Sequence, residues 1–181
     1  GPGGSIGEAL VTHPKVAKIN FTGDSETGKR IMCLASAAVK PVACELGGKN
    51  AFIVLGDADL DAAIEGAIWS SFFNSGQNCG SASRFFVQES IYDEFAGRFV
   101  TAAAKLSVGD PLKPETMIGP VAYEAHRDRI EGYIEGAKRS GAKLLLGGER
   151  PDTLETQNGL FVFPTIFADC DPKMELMQEE V

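Results

Sequence analysis

The sequence is poor in the residues that build metal cages, disulfide frameworks and nucleic-acid surfaces. Its 181 residues hold two histidines, four cysteines and one tryptophan. Cys33, Cys44, Cys79 and Cys170 are far apart, form no C-x-x-C pair and have no neighbouring histidine, so neither a zinc set nor a disulfide scaffold is expected. They read instead as reduced thiols, three of them buried and one reactive. No basic block interrupts an acidic balance of 17 Lys+Arg against 25 Asp+Glu, a net charge of −8, which argues against a nucleic-acid partner. No apolar run approaches a membrane span, and Gly1-Pro2-Gly3-Gly4 lacks the charged and apolar regions of a secretion signal. Repeats and low-complexity tracts are missing too. What remains is ordinary globular composition, 44% apolar and 23% charged, at a length that lets one domain or two small ones bury a core. A cytoplasmic protein is the expectation.

Periodicity predicts strands alternating with helices. Ala17, Ile19 and Phe21 alternate with polar neighbours and predict a strand ending at Thr22-Gly23. A helix follows, capped by Asp24 or Ser25, with Ile31, Leu34 and Ala38 on one face until Pro41. Val42 to Leu46 and Ala51 to Leu55 predict two strands around the turn Gly47-Gly48-Lys49-Asn50. Leu60, Ala63, Ile64, Ala67, Ile68 and Phe72 keep helical spacing, with Asp57, Asp59 and Asp61 near the positive end. Beyond a loop holding Cys79 come a strand at Arg84 to Gln88 and a helix that Ser90 is expected to cap through S-x-x-D. Another helix spans Tyr123 to Arg139, and Lys143 to Leu146 and Phe161 to Phe167 are strand-like. The class is α/β, with a mixed or largely parallel sheet flanked by helices.

Four motifs invite chemistry. Gly3-Gly4-Ser5-Ile6-Gly7 matches G-x-S-x-G, but no strand precedes it to deliver the serine, so a plain glycine-rich turn is expected. Gly23 to Arg30 nearly spells a P-loop between strand and helix. Arg30 stands where a magnesium-binding hydroxyl belongs, however, and Asp24 and Glu26 put negative charge where a triphosphate would lie. A phosphate-binding NTPase is therefore a remote alternative, and a weaker backbone contact with a phosphate or pyrophosphate is the better one. Cys79 lies in the polar, small-residue run Gly76-Gln77-Asn78-Cys79-Gly80-Ser81, where an electrophile could reach a thiolate; an inert thiol is the plainer reading. Glu45 is a carboxylate inside the apolar run Val42 to Leu46. Either it is buried, with a pKa raised toward a general base's range, or strand alternation turns it to solvent.

Glu45-Leu46-Gly47-Gly48-Lys49-Asn50, then Cys79 inside Gly76-Gln77-Asn78-Cys79, and finally Glu179-Glu180-Val181 resemble, in order and spacing, the signature set of the aldehyde dehydrogenase superfamily. Phe21-Thr22-Gly23 with Gly28, and Asp57-Ala58-Asp59-Leu60-Asp61, look like further landmarks, and the likeness spans the whole chain. The resemblance implies oxidation of a small-molecule aldehyde to an acid with NAD or NADP. Cys79 matches the nucleophile that forms a thiohemiacetal and then a thioester. Glu45 matches the base that activates the hydrolytic water. The Cys79 N–H and an asparagine upstream of this chain would hold the oxyanion. Gly23, Asp24, Leu46 and Glu180 match cofactor-binding positions, Glu180 at the nicotinamide ribose; no metal is implied. Phe72 and Phe73 would line the aldehyde channel or pack in a helix core. The resemblance also implies that residues 1–45 are the end of an NAD(P)-binding domain and 46–181 an incomplete catalytic domain. On that reading the chain is an internal fragment of a homo-oligomer, dimer or tetramer, and is not active alone. The competing expectation is an inert structural fragment that retains a thiol.

Overall fold

A computed structural model describes residues 3–151, 153 and 156–181. The chain forms two compact units, one ending at Gly48 and one running from Lys49 to Val181. Among the described residues no helix is long and apolar enough to cross a membrane.

The first unit consists of helix α1 (Gly3–Thr12), strand β1 (Ile19–Gly23), helix α2 (Ser25–Ser36) and strand β2 (Val42–Leu46). The glycines at residues 3, 4 and 7 therefore start a helix and do not make the turn that the G-x-S-x-G reading expected. β1 and β2 pair in parallel from Ile19↔Val42 to Gly23↔Leu46, with α2 as the crossover. Asp24 caps α2, its Oδ1 accepting from the amides of Glu26 (3.0 Å) and Thr27 (3.1 Å) and its Oδ2 from the Thr27 hydroxyl (2.5 Å). Ala35 and Gly28 are buried on the inner face of α2. A Cβ on Gly28 would lie 2.7 Å from Leu46 Cδ2, so hydrogen is the side chain that lets helix and strand approach this closely.

The second unit begins with strand β3 (Asn50–Val54), helix α3 (Leu60–Phe72), strand β4 (Ala82–Val87) and helix α4 (Tyr92–Ala103). β3 and β4 are again parallel, with Phe52 opposite Phe85 and Val54 opposite Val87. Asp59 caps α3 through the amides of Asp61 and Ala62. The core is aromatic: Phe85 lies 5.0 Å from Phe99 and 5.3 Å from Phe52 between ring centroids, and Phe95 and Phe99 are buried. Ala67 is completely buried, a small side chain where α3 meets this cluster.

Ser90 does not cap α4. Residues Glu89–Ile91 wind as a 3-10 turn, which delays α4 to Tyr92 and leaves the Ser90 hydroxyl to accept from Gln88 Nε2 at 3.2 Å. Helix α5 (Glu124–Arg139) and the antiparallel strands β5 (Lys143–Leu146) and β6 (Ile166–Ala168) follow, then the single turn α6 (Glu175–Gln178). β6 is shorter than the apolar run Phe161 to Phe167 predicts. Pro164 has no N–H to give a ladder, and Thr165 turns its hydroxyl to the Phe163 carbonyl (2.9 Å) and accepts from the Gly148 amide (3.0 Å). The strands thus lie in three two-stranded pairs, two parallel and one antiparallel, among the described residues.

Candidate active site

In the first unit the expected cofactor residues gather at the carboxyl ends of a parallel strand pair, where α/β folds bind ligands. Gly23 stands opposite Leu46, Thr22 opposite Glu45, and Asp24 begins the helix between them. Strand alternation decides between the two readings of Glu45. Along β2 the side chains of Val42, Cys44 and Leu46 are half-buried and those of Ala43 and Glu45 exposed. The carboxylate therefore reaches outward from the face opposite Leu46. Both glycines nearby have reasons internal to the unit, since a Cβ on Gly23 would meet the Phe21 ring at 2.6 Å. The near-P-loop is closed as a phosphate cradle at its helix amides, which the Asp24 carboxylate already engages. Lys29, which a P-loop would aim at phosphate, pairs instead with Glu26 at 2.6 Å, and Arg30 with Glu8 at 2.8 Å.

In the second unit Cys79 is exposed on the loop between α3 and β4. The loop leaves α3 through three successive left-handed residues, Asn74 (φ 53°), Ser75 (φ 59°) and Gly76 (φ 75°), a conformation that costs non-glycine residues about 1–2 kcal/mol each. The surroundings hold it there. Ser75 Oγ donates to the Gly119 carbonyl (3.0 Å) and accepts from the Gly119 amide (3.1 Å), while Gln77 Oε1 accepts from the Ala122 amide (2.9 Å). Ser71 Oγ donates to the Ala82 carbonyl where the loop enters β4 (3.0 Å).

Around the thiol itself both flanking peptides are pinned. The Asn78 carbonyl accepts from the Ser81 amide at 2.9 Å, and since carbonyl and N–H point oppositely across a trans peptide, the Cys79 N–H is turned out of that turn. Among the described residues no hydrogen bond takes this N–H. In the next peptide the Gly80 amide donates to Asn78 Oδ1 (2.9 Å), and the Cys79 carbonyl accepts from Asn50 Nδ2 (2.6 Å).

The other cysteines correct the sequence reading, which buried three of the four. Cys33 is exposed on α2, and Cys44 and Cys170 are half-buried. Burial, reinforced by Asp169, pushes the Cys170 thiol up; Lys49 acts against this. Lys49 is held below the usual ammonium range by burial and by Arg84, against the opposing pull of Glu180, Cys170 and Glu179. That places the C-terminal pair Glu179-Glu180 within electrostatic reach of Lys49. Phe72 and Phe73 part company. Phe72 stacks 6.1 Å from Phe99 in the core, whereas Phe73 is exposed beside Trp69 at 4.5 Å. Sequence reasoning missed Asn50, Ser75 and Gln77, whose roles arise from partners 29 to 45 residues away.

Each unit thus carries one chemical feature, the first a glycine turn at the end of a parallel strand pair and the second an exposed, backbone-pinned cysteine. The chain belongs to the aldehyde dehydrogenase family, whose model matches residues 1–181. It is 45% identical over 181 residues to betaine aldehyde dehydrogenase of Bacillus subtilis (strain 168), covering 100% of this chain and 37% of that protein. Against the Vibrio vulnificus (strain YJ016) betaine aldehyde dehydrogenase the identity is 42% over 176 residues, 97% of this chain and 36% of the other. Among solved structures, HpcC from Thermus thermophilus superposes with a TM-score of 0.96 at 40% identity, over 99% of this chain and 36% of that one. The same figures hold for betaine aldehyde dehydrogenase from Staphylococcus aureus in complex with NAD+. The chain thus spans little more than a third of the length of the relatives it matches.

Proposed function

We propose that Cys79 is the nucleophile of an aldehyde oxidation dependent on NAD or NADP, carried out by a protein of the relatives' full length that contains this chain. The observation that carries the reading is the exposed thiol between two pinned peptides with its own N–H turned out of the turn. The Cys79 thiolate adds to the aldehyde carbon, forming a C–S bond while the carbonyl pair moves to oxygen. The Cys79 N–H donates to that oxyanion, a donor set before charge develops. A bound nicotinamide supplies the acceptor for the hydride that leaves the same carbon, which becomes a thioester carbonyl. Glu45 takes a proton from water, hydroxide adds to the thioester, the C–S bond breaks, and the acid leaves with the thiolate regenerated.

For the cofactor we assign the Gly23 turn, the backbone of Leu46, and Glu180 at the nicotinamide ribose. The parallel strand ends fit such a ligand; the α2 amides do not fit its phosphates, because Asp24 occupies them, so Asp24 orders the turn and leaves phosphate contact to other groups. Residues 1–45 then close the NAD(P)-binding domain and 46–181 belong to the catalytic domain. A small aldehyde is the substrate, and a cytoplasmic homo-oligomer, dimer or tetramer, is the proposed assembly. The NAD+ complex of the Staphylococcus aureus enzyme and the BME-modified cysteine in a point mutant of it support use of NAD and a reactive thiol. The test is a steady-state panel of aldehydes, betaine aldehyde included, with NAD+ and NADP+ on that full-length protein. Cys79→Ala abolishes turnover, and Glu45→Gln retains one burst of reduced cofactor per site but then stalls. Turnover by Cys79→Ala would refute the assignment.

A further inference from the structure

Asn50 reaches the reactive loop from outside it. Its carboxamide nitrogen donates to the Cys79 carbonyl at 2.6 Å and to the Ser81 carbonyl at 3.1 Å, which engages both of its hydrogens. The residue is half-buried and sits on β3 opposite Ala82, so a short side chain on a rigid strand grips the loop as it enters β4. We propose that Asn50 is a positioning residue for the Cys79 chemistry, holding the Cys79 carbonyl so that the cysteine backbone presents its N–H to the substrate oxygen. This rests on the reading of Cys79 as nucleophile.

The geometry divides the work. The turn bond from Ser81 N–H to the Asn78 carbonyl orients the peptide before Cys79, and Asn50, together with the Gly80 amide bonded to Asn78 Oδ1, orients the peptide after it. With both backbone torsions of Cys79 set, Sγ moves only by rotation about its own Cα–Cβ bond. Without Asn50 the second peptide keeps only the bond from the Gly80 amide to Asn78 Oδ1, the Cys79 carbonyl is released, and the loop loses its side-chain tie from Asn50 on β3. A donor aimed at an oxyanion loses about 10²–10³ in rate when removed, and misplacement by about 1 Å costs about 10². The thiol itself remains, exposed and alkylatable.

That contrast gives the experiment. In the full-length protein, Asn50→Asp keeps the side-chain shape but sets a carboxylate against two carbonyl oxygens, and Asn50→Ser keeps one donor on a shorter arm. Two rates are measured on each: the pre-steady-state burst of NADH with aldehyde, which needs the oxyanion donor, and alkylation of Cys79 by iodoacetamide, which needs only the thiolate. The burst should slow by about 100-fold in Asn50→Asp and about 10-fold in Asn50→Ser, while alkylation changes less than about threefold. Should Asn50→Asp fail to fold, the Asn50→Ser pair of rates decides alone. Unchanged burst rates overturn the proposal, and so does a parallel loss of burst and alkylation, which would mean that Asn50 merely keeps the thiol accessible. Absence of any burst in the unsubstituted enzyme would instead overturn the nucleophile reading beneath it.

Discussion

Replacing Gly28 by alanine tests whether the helix–strand contact of the first unit is as close as its geometry states. The new Cβ would lie 2.7 Å from Leu46 Cδ2. Ordinary carbon contact is about 3.5 Å or more, so the Leu46 side chain must yield by about 0.8 Å. Overpacking of this kind costs about 1–3 kcal/mol, and the cost falls toward the lower end because the opposing atom is the tip of a leucine. Alanine in the body of α2 returns about 1 kcal/mol of helix propensity. Gly28→Ala is therefore close to neutral or destabilising by about 1 kcal/mol in the native background. With Leu46→Ala already present the clash is gone and only the propensity gain remains, so the same change becomes stabilising by about 1 kcal/mol. The signature is this reversal of sign, a coupling of about 1–2 kcal/mol in a double-mutant cycle. Urea unfolding of the four 181-residue proteins, with amide exchange of α2 as the local readout, measures it. Equal effects of Gly28→Ala in both backgrounds would refute the reasoning. Because Leu46 is a proposed cofactor position, the displaced side chain should also raise the KM for NAD+ in the full-length enzyme.

Two further expectations concern stability. Val39 sits at φ 52° with 88% of its surface exposed, between the Val39 N–H to Ser36 carbonyl bond and the Lys40 N–H to Ala35 carbonyl bond that close α2. That is the position where helices prefer glycine. Val39→Gly relieves about 1–2 kcal/mol of left-handed strain and adds about 0.5–1 kcal/mol of chain entropy cost, so Tm should rise by about 2–3 °C in a thermal melt. His126, half-buried on α5 with its ring 5.7 Å from Tyr123, is held below its ordinary 6.5 by burial and then by Arg129. Its folded form binds a proton less readily than its unfolded form, so its contribution is complete above pH 6.5 and declines as pH falls from there through the depressed folded value. Urea midpoints across that range should flatten in His126→Gln; a profile that superposes on the unsubstituted one would refute the assignment.

Much of the fold was legible because it depends on neighbours in sequence. Asp24 and Asp59 cap their helices through amides two and three residues on, and α3 follows the apolar spacing from Leu60 to Phe72. The readings that failed depend on partners the pattern does not show. Ser90 carries a capping-box spacing but falls in a 3-10 turn whose backbone offers no helix amide at the right place. The run Phe161 to Phe167 is apolar enough for a strand, yet Pro164 and the side chain of Thr165 remove it from the ladder until Ile166. Cys33 looked buried by residue type, but its position on α2 puts it on the outer face.

By itself the sequence determined the family, which the match over residues 1–181 answers. It also determined the alternation of Val42 to Leu46, although not which parity faced inward. Tertiary structure decided that Glu45 is the outward residue, through the pairing of β1 with β2 and the packing of Leu46 against Gly28. It decided too that Cys79 is gripped by an asparagine 29 residues away. The physical reason is the same in each case. Periodicity and capping act over three or four residues, whereas a hydrogen bond between a strand and a distant loop exists only once the chain has folded.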